Sequence, residues 1–240
     1  MLQTTKAVVL RTIKYADKSV VLRAYTERFG IRSYMVRTGT RGVSRLAALQ
    51  PLSRVELVVP EAGERDMRTV RDLRMDRPYT RVHQEPVRGI LLLFAQEVFD
   101  RALREESADA QLFGFVQETL ESLDTGSDMA HQPLLLLVGL SRQLGFFPEA
   151  PEAGDQRFDL REGYFFRGEA PHEFCMEPAQ AELFAELITH IEMRAGTPAP
   201  LKATADVRRR LLDDLLIYYR LHVEGFGELR SLEVLRAVLE

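Results

Sequence analysis

The chain has 240 residues and a formal net charge of −4 that conceals a split: the first 82 residues carry 17 Lys and Arg against 8 Asp and Glu, and the remaining 158 carry 15 against 28. An apolar content of 45% with 28% charged residues excludes a disordered or collagen-like chain. A single cysteine, Cys175, excludes an intrachain disulfide, and the longest apolar runs (90–95 and 134–140) fall far short of the ~20 residues of a membrane helix.

Residues 4–76 read as strands. Runs at 7–13, 19–26, 31–37, 55–59 and 69–73 are short and rich in β-branched and aromatic residues, with turn signals at 16–18, 28–30, 39–45 and 60–63. Five short strands suit a small barrel, because closure removes exposed edges. A short helix over 46–52, between the third and fourth strands, completes the OB layout, whose face and loops commonly bind oligonucleotides. After Pro78 the period turns helical, with helices expected over 85–106, 109–123, 133–144 (closed by Gly145), 178–193, 204–223 (capped by Thr204) and 231–239 (capped by Ser231). An excursion over 146–178 holds four prolines, three glycines and a tight hairpin at 158–166. The expected class is α+β: a five-stranded OB barrel over 1–80, then a helical domain over 81–240. The start, MLQTTKAVVL, lacks a signal-peptide pattern, and the lone thiol suits a reducing compartment, so a cytoplasmic location is expected.

The search for catalytic chemistry returns little. A structural zinc site needs about four ligands, and only His172 and Cys175 stand close, as H-x-x-C. There is no G-x-S-x-G and no phosphate-binding G-x-x-x-x-G-K-[ST]. Asp213 and Asp214 suggest a metal-dependent nuclease, but adjacent helical residues diverge by about 100°, and the pair reads as a polar face. No enzyme, metal or cofactor is expected.

The basic residues carry more. Lys6, Arg11, Lys14, Lys18, Arg23, Arg32, Arg37, Arg41, Arg45 and Arg54 sit in the strands and their loops, with Tyr15, Tyr25 and Tyr34 among them. Cations that follow a phosphate backbone, with rings for stacking, are the chemistry of sequence-tolerant single-strand binding. On the strand 31–37, Arg32 and Tyr34 share one face and Ile31, Ser33 and Met35 the other. The expected DNA-binding set is Lys14, Lys18, Arg32, Tyr34, Arg37, Arg41 and Arg45. The run Arg208-Arg209-Arg210, with Arg142, is the candidate contact for an acidic partner. The alternative is an adaptor whose barrel binds a protein.

The opening stretch KAVVLRTIKYADKSVVLRAYTERFGIRSYMVR (6–37) and the closing GFGELRSLEVLRAVL (225–239) resemble the RecO family, bacterial recombination mediators of DNA repair. The resemblance implies an N-terminal OB domain followed by a helical one. It implies binding to single- and double-stranded DNA and annealing of complementary strands. It also implies partnership with RecR and with the acidic C-terminal tail of single-strand-binding protein, so that RecA is loaded on coated DNA in the cytoplasm, at the nucleoid. The strand 30–34 and the basic loop 37–45 would then belong to the DNA-facing region. Many members carry a four-cysteine, zinc-finger-like element in the excursion. Here only Cys175 remains, so the hairpin is expected to pack through Phe158, Leu160, Tyr164 and Phe166.

Overall fold

A computed structural model describes residues 1–38, 47–60, 68–104, 107–193 and 201–238. It is α+β, and its chain divides into two compact units, Met1–Thr125 and Gly126–Glu240. This division falls later than the change from strands to helices, because two helices belong with the sheet.

The first unit holds strands β1 (Leu2–Ala16), β2 (Ser19–Thr26), β3 (Gly30–Arg37), β4 (Arg54–Pro60), β5 (Arg68–Thr69) and β6 (Asp72–Arg77) in one sheet of order β5-β3-β2-β1-β4-β6. Six strands replace the expected five, because the fifth run changes partner midway. Thr69 pairs with Met35 of β3, and Asp72 pairs with Val58 of β4. Between them the Val70 N–H donates to the Met35 carbonyl and the Arg71 N–H to the Val58 carbonyl, at 2.9 and 2.8 Å. Two consecutive residues thereby tie the third and fourth strands together, which curls the sheet towards the OB form.

The long first strand also changes partner. Leu2–Val8 pair with β4, and Ala7–Ala16 pair with β2. A bulge at Leu10 lies where the pairing with β4 has ended. A bulge flips the side-chain parity, so Ala7 and Val9 face inward before it and Thr12 shares the inner face of Leu22 and Tyr34 after it. The interior cluster is Ala7, Val9, Leu22, Ala24, Tyr34, Val36, Ala48, Leu49, Val55, Leu57, Val59 and Leu73. Of the short helix expected over 46–52, residue 46 lies outside the described residues, Ala47 and Ala48 are helical, and the rest is a turn.

Helices α1 (Pro86–Ala102) and α2 (Ala110–Thr125) complete this unit. They are fastened by polar contacts. Gln96 Nε2 donates to the Leu10 carbonyl that the bulge leaves free, at 2.9 Å. Arg23 pairs with the Asp100 carboxylate. Tyr25 is buried with its ring 5.7 Å from that of Phe113.

The second unit contains α3 (Gln132–Leu144), a small sheet of β7 (Arg157–Asp159), β8 (Tyr164–Phe166) and β9 (Cys175–Met176) in the order β8-β7-β9, then α4 (Pro178–Glu192), α5 (Ala205–His222) and α6 (Leu232–Val238). Gly145 ends α3 in the left-handed conformation (φ 84°), and the Thr204 hydroxyl accepts from the Val207 N–H at the start of α5. The excursion is knitted into the helical core: Phe158 packs edge-on against Phe184 and Tyr218, with centroids 4.9 and 5.5 Å away. Phe158, Leu160 and Met176 are buried, whereas Tyr164 is exposed and Phe166 only half-buried. The small sheet therefore packs through Phe158, Leu160 and Met176 of the added strand β9, and not through Tyr164. Among the described residues no helix is long and apolar enough to cross a membrane.

Candidate nucleic-acid interface and partner pocket

The β1–β2 hairpin extends past the interior cluster, and from Ile13 to Lys18 every residue is exposed. Lys14 and Lys18 lie on this tip. Arg37 is brought to it by register, since Ser19 pairs with Arg37 and the Thr38 N–H donates to the Lys18 carbonyl at 2.9 Å. Three expected DNA contacts, 23 residues apart in the chain, thus converge at one end of the sheet. Asp17 is the acidic residue on the tip, 3.9 Å from the Lys14 ammonium and fully exposed. Solvent weakens such a pair.

Two further expectations divide differently. Tyr34 is wholly buried in the sheet interior, so its ring has no face to offer a base. Arg32 shares its parity and is half-buried. The alternation on β3 was legible, and the face shared by Arg32 and Tyr34 is the inward one, with Ser33 and Arg37 on the exposed side. Tyr34 belongs inside because a barrel this small needs a large side chain to fill it. Burial also pushes the Tyr34 hydroxyl above its ordinary pKa, with Arg68 and Arg32 opposing that rise. Arg41 and Arg45 lie outside the described residues.

The basic tally of the first 82 residues includes charges that hold the fold. Arg54 is only 2% exposed and donates to Glu121 at 2.5 Å and to the Arg77 carbonyl at 3.2 Å. Its guanidinium lies 4.8 Å from the Tyr79 ring centroid. Arg23 is likewise committed to Asp100. Neither signal is readable from one sequence, because the acidic partners lie 67 and 77 residues away.

In the second unit a cavity of about 300 Å³ opens between α3, α5 and α6. Its apolar lining includes Pro133, Leu134, Leu212 and Leu235, and Arg208, Arg209 and Arg236 border it. Arg208 donates to the Ala203 carbonyl at 2.6 Å, Arg209 approaches Asp206 at 3.4 Å, and Arg236 pairs with Asp213. These contacts orient the guanidiniums without enclosing them. Of the four candidate partner residues, Arg208 and Arg209 line this cavity. Arg210 pairs with Asp206, and Arg142 lies over the Phe147 ring at 5.5 Å. Arg236 was missed in the sequence, where a lone arginine in the last helix carries no signal.

The excursion gathers Asp159, His172 and Cys175 within 4.8 Å. The imidazole lies between the other two: Nδ1 is 3.5 Å from the thiol sulfur and Nε2 is 3.2 Å from the Asp159 carboxylate. A histidine ligates one ion through one nitrogen, so partners on opposite nitrogens do not converge on a tetrahedral centre with it. Asp159 also accepts from the Arg161 and Glu162 N–H groups, at 2.8 and 3.1 Å. Burial pushes the Cys175 thiol up, away from the thiolate that binds zinc. The trio does not fit the zinc-finger-like element of the resemblance and forms a hydrogen-bonded brace across the small sheet.

Comparison with known proteins bears on the whole chain. The family model described as Recombination protein O N terminal matches residues 1–79, and that described as Recombination protein O C terminal matches residues 83–233. Among curated proteins, the chain is 28% identical to the DNA repair protein RecO of Christiangramia forsetii, over 99% of each chain. It is 29% identical to that of Bacteroides fragilis over 100% of each, and 26% identical to that of Azobacteroides pseudotrichonymphae over 100% of each.

Proposed function

This chain belongs to the RecO family of DNA repair proteins, and on that footing we propose that it binds single- and double-stranded DNA through the basic end of its sheet. The observation that carries the reading is the convergence of Lys14, Lys18 and Arg37 on an exposed hairpin tip. Phosphate contacts of this kind supply affinity without sequence preference, through release of condensed counterions. Bound cations also reduce the repulsion between two phosphate backbones, so complementary strands approach and pair. Annealing makes and breaks no covalent bond, and the protein acts as a mediator rather than an enzyme.

The second unit engages partners. A cavity with an apolar lining and an arginine border suits an acidic peptide with an apolar side chain, the chemistry of the tail of single-strand-binding protein. Through that tail the protein reaches coated DNA, and together with RecR it helps RecA to load. The test is annealing of complementary oligonucleotides already coated with single-strand-binding protein. The full chain should accelerate it over the coated strands alone. No acceleration on coated or bare strands would contradict the reading.

A further inference from the structure

We propose that Tyr15 is a base-stacking residue, held out on the β1–β2 hairpin tip for the unpaired bases of a single strand. The inference rests on the DNA-binding reading and states which form of DNA the tip selects.

The first observation is the register. Lys14 pairs with Val20 and Ala16 pairs with Ser19, so Tyr15 is an extra residue with no cross-strand partner. Bulges of this kind re-aim a side chain. The strand's other bulge, at Leu10, is absorbed by the fold: Leu10 is buried and its carbonyl accepts from Gln96. Among the described residues the bulge at Tyr15 has no such covering.

The second observation is the ring's surroundings. Tyr15 is 68% exposed, and no hydrogen bond or ring contact engages its side chain among the described residues. Five of the other tyrosines are anchored: Tyr25 on Phe113, Tyr34 in the sheet interior, Tyr79 on the Leu52 carbonyl, and Tyr218 and Tyr219 on carbonyls of the second unit. The remaining one, Tyr164, lies beside Phe166. Two positions back, Ile13 is also exposed, at 48%, and is continued across the sheet by its register partners Val21 and Met35.

The third observation is charge. Lys14 precedes the ring, Lys18 follows it, and Arg37 joins them across the sheet, with the Asp17 carboxylate 3.9 Å from the Lys14 ammonium. An exposed ring framed by cations offers a stacking surface next to phosphate ligands, which is the combination a single strand needs. A duplex has its base faces already stacked, so it meets the cations alone.

The experiment uses the full chain and its Tyr15→Ala and Tyr15→Phe variants. Each is titrated into a labelled oligothymidylate and into a labelled blunt duplex of equal length. Because the side chain is exposed, the variants should share the parent's thermal midpoint. Tyr15→Ala should weaken oligothymidylate binding about tenfold, with its salt slope unchanged, and should leave duplex binding within about twofold. Tyr15→Phe should bind as the parent does. Equal loss on both forms or no loss on either would overturn the proposal. If the parent chain itself binds neither form, the DNA reading has failed and the stacking role falls with it. Binding that is intact in the parent but indifferent to Tyr15 removes the stacking role alone.

Discussion

The Arg54 guanidinium, all but hidden in the first unit, donates to the half-exposed carboxylate of Glu121 on α2 at 2.5 Å. A buried cation stripped of its partner is costly, while removing both charges is much less so. Glu121→Ala should therefore lower stability by about 2 kcal/mol, and the double variant Arg54→Met with Glu121→Ala should recover a large part of it. Urea unfolding midpoints measure both.

Asp124 holds the entry to α1. Its carboxylate accepts from the N–H groups of Thr80, Arg81 and Val82 at 2.9, 2.8 and 3.0 Å, and from the Thr80 hydroxyl at 2.9 Å. Burial alone would raise its pKa, but these donors together lower it to about 2. A carboxyl depressed on folding adds stability that is complete above its unfolded pKa of ~4 and is lost as pH falls towards 2. That contribution is about 2 kcal/mol. Asp124→Asn should lose at least this at pH 7 and flatten the stability profile between pH 4 and 2, as read from thermal midpoints.

Asp214 on α5 behaves in the opposite sense. Burial first, then Asp213 and Glu177, push its carboxyl up to about 7. The folded state then holds the proton more tightly than the unfolded one, so stability is greatest below pH ~4 and declines as pH rises through 7. Asp214→Asn should raise the thermal midpoint at pH 8, by on the order of 1–2 kcal/mol of stability given partial solvent screening, and leave it unchanged at pH 4. An equal effect at both pH values would assign the gain to something other than the carboxylate.

Much of this architecture was legible in the sequence, because periodicity and caps are local. Among the described residues the six helices expected after Pro78 fall where the pattern predicts them, Thr204 and Gly145 act at the ends assigned to them, and the change of period is real. What was not legible depends on distant contacts. The fifth run splits because its halves pair with strands that are not neighbours in the sheet. Tyr34 turns inward because the small barrel must be filled, and alternation along a strand does not by itself say which of its two faces is the inner one. Charge totals located the basic region but not the charges within it that hold the fold, since Arg23 and Arg54 are held by carboxylates on helices that follow much later. The division after Thr125 leaves both clasps within the first unit.

The arginine-bordered cavity makes a separable prediction. Arg209→Glu and Arg236→Glu should each weaken binding of an acidic, apolar-ended peptide by about fivefold to tenfold, because they reverse charge at its rim. Arg142→Glu should leave that affinity unchanged, since Arg142 does not line the cavity. Fluorescence anisotropy with the labelled tail of single-strand-binding protein measures all three. A loss confined to Arg142→Glu would move the partner site along α3.

The most direct test of the central claim is the salt dependence of single-strand affinity, comparing the full chain with a variant in which Lys14, Lys18 and Arg37 are all replaced by glutamate. Each phosphate contact contributes about 0.7 to the slope of log affinity against log salt on a single strand. The parent should therefore show a steep slope, and the folded variant should lose about 2 from it together with most of its affinity. An unchanged slope and affinity in a variant that keeps its thermal midpoint would contradict the account and remove the hairpin tip from the DNA-binding surface.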